Sequence, residues 1–267
     1  KHRFGLTQLI MPPLTQSLGP WVQPSPGKYA SQLSQQNELL TELISRLPRF
    51  HSFSQNFHYS ITNWLPFYWN GFASTTRYTY VLEDLTDLDR IWQNFRENVR
   101  RNIRKAQKQL EIHSELDIHS FLSLLEMTFT RQGMRLPYSR DLVIRLDNAT
   151  KQRACRKIFA AQDSHGRLHA AIYIIWDKKS AYYLMGGSNP DLRDSEANSL
   201  LIWEAIQFSA SVTHSFDFEG SMIRSIERFF RSFGAVQKPY FHVTKTDFLP
   251  LKILQDIRSW RKFTLHG

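Results

Sequence analysis

The 267-residue sequence holds a single cysteine, Cys155, which excludes a disulfide framework and a cysteine-rich structural zinc site. Cys155 also lacks any local nucleophile signature. No apolar run reaches the ~18–20 residues that a membrane-spanning helix needs. Lys1–Gly5 carry no signal-peptide pattern, and the missing initiator Met points to a chain processed or cut from a longer one. The glycine spacings of a Walker loop and of a dinucleotide fingerprint are both missing. His165 and His169 lie four apart but straddle an expected turn, so they form no helical metal pair, and no metal is expected. What remains is a folded, soluble, cytoplasmic chain, 42% apolar and 22% charged, long enough for one large domain or two ordinary ones.

Acidic residues are also scarce: 24 Asp+Glu stand against 34 Lys+Arg, for a net charge of +10. The excess is local. Residues 86–109 hold seven basic and three acidic side chains, and residues 222–267 hold nine and three. The rest of the chain is balanced, which points to a polyanionic partner, a phosphate-bearing cofactor or a nucleic acid.

Along the chain, a strand at Phe4–Ile10 leads into a segment stiffened by Pro12, Pro13, Pro20, Pro24 and Pro26. Leu33, Leu40, Leu43, Ile44 and Leu47 fall at helical spacing before Pro48. Strands are expected at Ser52–Ile61 and Arg77–Leu82, with an aromatic loop from Trp64 to Phe72 between them. Thr86 then caps one long helix whose apolar stripe runs from Leu88 to Leu110. Arg96, Arg100, Arg104 and Lys108 step along a second face of it, with Arg101 and Lys105 beside them. Helices at Ile118–Gln132 and Arg140–Arg153 precede strands at Lys157–Gln162, Leu168–Asp177 and Ala181–Gly187. A loop, a helix from Ala197, a strand at Ser215–Phe218, a helix at Ile223–Phe233 and a strand at Tyr240–Thr244 follow. Antiparallel strands followed by strand–helix–strand–helix–strand define a mixed α/β fold.

The sharpest local feature is the loop Ser188–Glu196 feeding the helix at Ala197. A helix N-terminus offers free N–H groups and a positive dipole end, which together hold phosphate. Arg193 adds a charge-assisted contact, and Ser195 and Asn198 add small polar groups. The competing reading is an ordinary strand–loop–helix connection capped by Ser195. Asp217 and Glu219 alternate along one strand and share a face at its C-terminal end. One of them serves as a base or holds an ammonium group; alternatively Asp217 caps a helix starting near Ser221 or pairs with Arg224. Tyr240 and His242 alternate on the last strand as weaker acid or donor candidates, with a structural role as the alternative.

The run Tyr182–Lys245, opening YYLMGGSNPDLRDSEANSLLIWEA, resembles the GNAT-type acyltransferases. Within them it looks closest to the branch with FemAB-like peptidoglycan aminoacyltransferases and related acetyltransferase-like proteins. Asn98–Gln107 (NVRRNIRKAQ) resembles the basic helix of that branch, and Met11–Trp21 (MPPLTQSLGPW) its early segment. The resemblance implies a tandem of GNAT-like units with a mixed, mostly antiparallel sheet flanked by helices. The first, partial unit would span 1–111, including the basic helix 86–109, and the second 112–267. The first looks short, as though its opening strands lay upstream of Lys1.

The resemblance also implies acyl transfer from acetyl-CoA or another acyl-CoA to an amine. Arg193, Ser195, Ala197, Asn198 and Ser199 would hold the pyrophosphate, with Gly187 beside the acyl arm and the thioester between Leu184–Gly187 and Asp217–Gly220. Asp217, Glu219 and Tyr240 would carry the chemistry. Arg100, Arg101, Arg104, Lys105 and Arg224 would face a substrate or polyanion. The acceptor would be an amine, with a cell-wall precursor as one example. A second reading replaces the donor with aminoacyl-tRNA, as in the FemAB-like enzymes. Phe230 counts against it, because that branch commonly has Phe-Lys where Phe229-Phe230 stand here. A third keeps the fold as a non-catalytic binding module. Its motivation is Glu196, which occupies the first glycine of the family pattern Arg/Gln-x-x-Gly-x-Gly/Ala, with Asn198 at the second small position.

Overall fold

The computed structural model describes residues 2–3, 5–220 and 222–247. In chain order the elements begin with β1 (His2–Arg3), β2 (Leu6–Ile10), α1 (Tyr29–Ser45), β3 (Ser52–Asn56), α2 (Leu65–Trp69), β4 (Ala73–Leu82), α3 (Leu88–Asn94) and α4 (Glu97–Gln107). They continue with β5 (Glu111–His113), α5 (Ile118–Arg131), α6 (Arg140–Gln152), β6 (Arg156–Gln162), β7 (Leu168–Trp176) and β8 (Ser180–Ser188). A 3-10 turn at Pro190–Ser195 precedes α7 (Ala197–Ala210), followed by β9 (Ser215–Asp217), α8 (Arg224–Arg231) and β10 (Val236–Thr246). Phe4, Ser221 and the C-terminal basic residues Lys252, Arg258, Arg261 and Lys262 lie outside the described residues.

The long helix expected from Thr86 is two helices. Asp87, not Thr86, caps α3 by accepting the Arg90 N–H at 2.9 Å. Phe95 is then extended (φ −63°, ψ 142°), and the Arg96 N–H leaves the helix to donate to Ser232 O at 2.9 Å. The apolar stripe crosses the break undisturbed: Ile91, Phe95, Val99, Ile103 and Ala106 are all buried. The aromatic loop is also partly helical, since Pro66 sits in the first turn of α2, where a missing N–H costs nothing.

Two compact units emerge. Unit 1 comprises the described residues up to Arg77 and those from Pro239; unit 2 comprises Tyr78–Lys238. This differs from the expected boundary at 111/112, because α4 packs on α7 and carries residues 86–111 into the later unit.

In unit 1, β1 and β2 are antiparallel, β2 and β3 parallel, and β3 and β10 antiparallel. Leu40, Phe53, Phe57, Phe67, Phe72 and Val243 form its core. Edge-to-face ring pairs fix it, with centroids 4.9 Å apart for Phe57–Phe67 and 5.1 Å for Phe53–Phe72.

In unit 2, β4 and β9 are antiparallel, β9 and β8 parallel, and β8, β7, β6 and β5 successively antiparallel. Strand residues alternate between two faces with period two. Phe159, Ala161, Ala170, Ile172, Ile174 and Ala181 share a core with α4 and α7. The other face meets α5, where Phe121 packs on Tyr173 at 5.7 Å. This mixed, mostly antiparallel sheet with helices on both faces is the α/β architecture that strand alternation and helical periodicity imply. Among the described residues no helix is long and apolar enough to cross a membrane.

Candidate active site

The site grows from where two parallel strands part. β8 and β9 pair at Ser180↔Ser215, Ala181↔Phe216 and Tyr182↔Asp217, and there the ladder ends. Beyond it β9 follows its other neighbour, since the Phe218 N–H donates to Tyr80 O at 2.9 Å. β8 follows β7 instead, reaching Ala170↔Ser188. Its far end is pinned to α5: the Ser188 N–H donates to Thr128 Oγ1 at 2.8 Å. The backbone groups of Tyr183–Ser188 on the β9 side are therefore left without a strand partner.

A bulge shapes this free edge. The register with β7 shifts between Tyr173↔Met185 and Ile174↔Tyr183, so Leu184 is the extra residue. Tyr183 and Gly186 thereby come to one face, and the Tyr183 ring lies along the strand. A Cβ at Gly186 would fall 1.9 Å from Tyr183 Oη, so only glycine permits this ring position. The ring packs on Phe230 at 5.7 Å. Its hydroxyl makes no hydrogen bond to the described residues, and burial pushes its pKa up to about 12. Sequence reasoning missed Tyr183, because its position depends on the pairing with β7.

At Gly187 a Cβ would lie 2.5 Å from Leu125 N, so its bare backbone accommodates α5.

After β8, Asn189 Oδ1 accepts the Asp191 N–H and starts the 3-10 turn. Ser195 is not the cap of α7: its hydroxyl donates back to Leu192 O at 2.8 Å. The cap position belongs to Glu196, which adopts the left-handed conformation (φ 62°, ψ 23°) and makes no side-chain cap bond. Glutamate therefore stands in a backbone conformation that glycine adopts freely, at a cost of about 1–2 kcal/mol. Ser199 and Leu200 donate to Glu196 O, while the N–H groups of Ala197 and Asn198 find no acceptor among the described residues. Ser199 is buried and Arg193 exposed. Lys105 of α4 donates Nζ to Asp194 O at 2.6 Å, bringing a cation against this loop. Arg101 and Arg104 are exposed on the same helix; Arg100 is half-buried and donates to Gln93 O.

The carboxylates stand at the end of β9, but not as alternating strand residues. The strand stops at Asp217, and Glu219 is left-handed (φ 57°). A turn joins them: Asp217 Oδ1 accepts the Glu219 N–H at 2.7 Å and also the Thr79 hydroxyl. Asp217 is buried, and this raises its pKa to about 6 against the lowering effect of both donors. Glu219 is raised to about 8, first by burial and then by the Asp217 charge. Arg224 is exposed in the first turn of α8 and pairs with neither. The α8 cap position is Ile223, without a side-chain bond, so Asp217 does not cap that helix.

Tyr240 falls in unit 1, where its hydroxyl accepts from Gln16 Nε2 at 3.3 Å. His242, also there, donates Nδ1–H to Asn56 Oδ1 (2.8 Å); burial and Arg77 push its pKa down to about 4, so it stays neutral. Cys155 is a free thiol, and His169 Nε2 meets Asp163 Oδ2 at 3.1 Å in the hairpin turn. Among the described residues no three His, Cys, Asp or Glu side chains gather as a metal site.

A parted parallel strand pair, a helix N-terminus with open N–H groups and a buried carboxylate at the parting point thus come together in unit 2. The comparison with known families agrees. Residues 93–231 match the acetyltransferase (GNAT) domain, and the chain belongs to that family. No curated protein matches the sequence significantly. Among solved structures, FemX superposes with a TM-score of 0.64 at 12% identity, covering 85% of this chain and 79% of FemX. The C-terminal domain of a putative lysylphosphatidylglycerol synthetase from Agrobacterium fabrum gives 0.54 at 14% identity, covering 87% and 79%. L-PGS from Bacillus licheniformis gives 0.51 at 10%, again covering 87% and 79%. These likenesses establish the fold.

Proposed function

We propose that unit 2 is an N-acyltransferase that takes an acyl group from acetyl-CoA or another acyl-CoA and places it on an amine. The observation that carries this reading is the end of the β8–β9 ladder at Tyr182↔Asp217 beside the open N-terminus of α7. The residues fit the donor. Ala197 and Asn198 offer unspent N–H groups to a pyrophosphate, and Arg193 and Lys105 supply positive charge nearby. The free edge of Tyr183–Ser188 suits the amide-bearing arm. Bound acyl-CoA would supply the activated thioester carbonyl.

The chain's own groups do the rest. Asp217, raised to about 6 and oriented by Thr79, is ionised at neutral pH yet basic enough to take a proton from the incoming amine. Glu219, raised to about 8, is mostly protonated there, so it leaves Asp217 as the single negative charge of the pair. The Tyr183 hydroxyl is a donor available to developing negative charge at the free edge. Tyr240 is not needed in this scheme. Unit 1, as a shortened GNAT-like unit, would serve the acceptor, with a cell-wall precursor amine as the class suggested by the FemAB-like resemblance. The cytoplasm is the compartment proposed for it.

A second reading, aminoacyl-tRNA as donor, draws on the exposed row Arg101, Arg104 and Lys105. Phe230 is buried against Phe218 and Tyr183 in place of the lysine that this chemistry calls for. A panel of primary amines with acetyl-CoA, monitored by thiol release, tests the first reading; turnover with at least one amine is expected. No turnover, together with tRNA binding that weakens steeply as salt rises, would replace it with the second. Neither binding nor turnover would leave the non-catalytic module.

A further inference from the structure

Unit 1 contains a cavity of about 530 Å³ that plays no part in the scheme above, within the range of ligand pockets, about 300–1,000 Å³. Its wall is the first half of α1, its rim the segment Val22–Ser25, and its remaining side Thr62–Leu65 with Phe241 of β10. In a chain of net charge +10, no residue lining this cavity is charged. The polar lining is dominated by carboxamides: Gln23, Gln32, Gln35, Gln36 and Asn63. The flat apolar surfaces are Tyr29, Trp64 and Phe241.

The walls are fixed in advance. Gln32 Nε2 donates to Ser25 O (2.8 Å) and Gly27 O (3.0 Å), tying the rim to α1. The buried Asn63 donates Nδ2 to Asn37 Oδ1 (2.8 Å) and Gln36 Oε1 (3.1 Å), and accepts the Leu65 N–H. Trp64 is braced by Tyr68 at 5.7 Å and Phe241 at 6.0 Å. What remains unspent is both donating and accepting. The carboxamides of Gln23 and Gln35 make no hydrogen bond among the described residues, and Gln32 Oε1 and Gln36 Nε2 are likewise open.

The lining selects a chemistry. A phosphate, carboxylate or ammonium group would find no counter-charge among the lining residues. An aliphatic chain would strand the open amides. An extended peptide favours an unpaired strand edge, whereas this cavity presents side chains. Hydroxyl groups both donate and accept, as carboxamides do, and the C–H face of a sugar ring lies flat on an aromatic ring. Gln35 and Gln36 follow Gln32 by three and four residues, so each lies about 5–6 Å from it along the helix, spacing suited to hydroxyls across a ring. We infer that unit 1 binds a neutral saccharide, free of phosphate, in this cavity. The site shares no residue with the proposed donor site and does not depend on the acyl-transfer reading.

Titration of the full chain with cellotriose, maltotriose and chitotriose, by calorimetry and saturation-transfer NMR, tests it. Parallel arms use trigalacturonate, a capped uncharged tripeptide and acetyl-CoA. At least one neutral trisaccharide binds, with an affinity indifferent to salt. Gln35→Ala and Gln36→Ala each weaken it about tenfold, the loss of a well-made hydrogen bond. Gln35 is exposed and unpartnered, so its truncation leaves the fold intact, and Trp64→Phe keeps the ring while weakening the stack. Acetyl-CoA binding is unchanged in all three variants. Absence of binding by every neutral trisaccharide overturns the inference, as does binding by the charged sugar or peptide alone. So does an affinity that both glutamine variants leave untouched.

Discussion

The free edge of β8 lies where β9 parts from it at Asp217, near Glu219, and the loop that follows β8 meets Lys105 of α4, whereas the cavity beside α1 is lined by amides and rings with no charge. Both belong to one chain with a strong positive excess, yet they solve different desolvation problems. In unit 2, burial raises both carboxylates toward neutral pH, the tuning that the proposed proton transfer requires. In unit 1, paired amides spend part of their capacity on one another and keep the rest for a ligand. On the two proposals, charge marks the reaction site and its absence marks the recognition site. Four substitutions in unit 2 can break or sharpen that contrast.

Asp217→Asn keeps the shape and the Thr79 contact but removes the base. Turnover should fall about 10²–10⁴-fold while donor affinity, read by calorimetry, stays put. A small change in rate would move the proton acceptor elsewhere and erase the functional distinction between the two regions.

Glu219→Gln tests the buried charge through stability. Because the folded pKa lies near 8 and the ordinary value is 4.5, the folded protein holds this proton more tightly than the unfolded chain. Native stability therefore declines as pH rises from about 4.5 to about 8, and the penalty is complete above that. The glutamine variant should match the native chain at low pH and exceed it by about 1–3 kcal/mol above pH 8, a range well below the full shift because the side chain is only partly buried. Urea unfolding across pH reads this directly, and a constant difference would contradict it.

Glu196→Gly relieves a left-handed residue and removes a carboxylate from the phosphate end of α7. Acetyl-CoA affinity should rise about three- to tenfold. Lys105→Met removes the cation held at Asp194 O. The expected loss of affinity is about two- to fivefold and should vanish at high salt, as screening of an exposed charge requires.

Much of this fold can be read along the chain. The periodicity of α5, α6 and α7 gives their starts directly, because Asp117 and Ser139 cap the first two and α7 begins where the polar loop ends. The break at Phe95 escapes such reading, since α3 and α4 keep one continuous apolar stripe and only the bond to Ser232 O separates them. Asp217 and Glu219 are visible as neighbours, but a strand pattern cannot foresee the left-handed turn that joins them. Tyr183 depends on a bulge set by a different strand. The cavity of unit 1 is the least legible feature, because its lining comes from segments as distant as Val22 and Phe241. Each short stretch is unremarkable until the fold assembles it.

The central claim is that the parting of β8 from β9 receives a phosphate-bearing acyl donor. Calorimetric titration of the folded chain with acetyl-CoA tests it most directly, alongside Gly186→Ala, whose methyl group would displace the Tyr183 ring from the free edge. One saturable site is expected in the native chain, with affinity lowered at least tenfold in the variant while far-ultraviolet circular dichroism is unchanged. No heat from acetyl-CoA, free CoA or longer acyl-CoAs, with the native fold verified, would contradict the account.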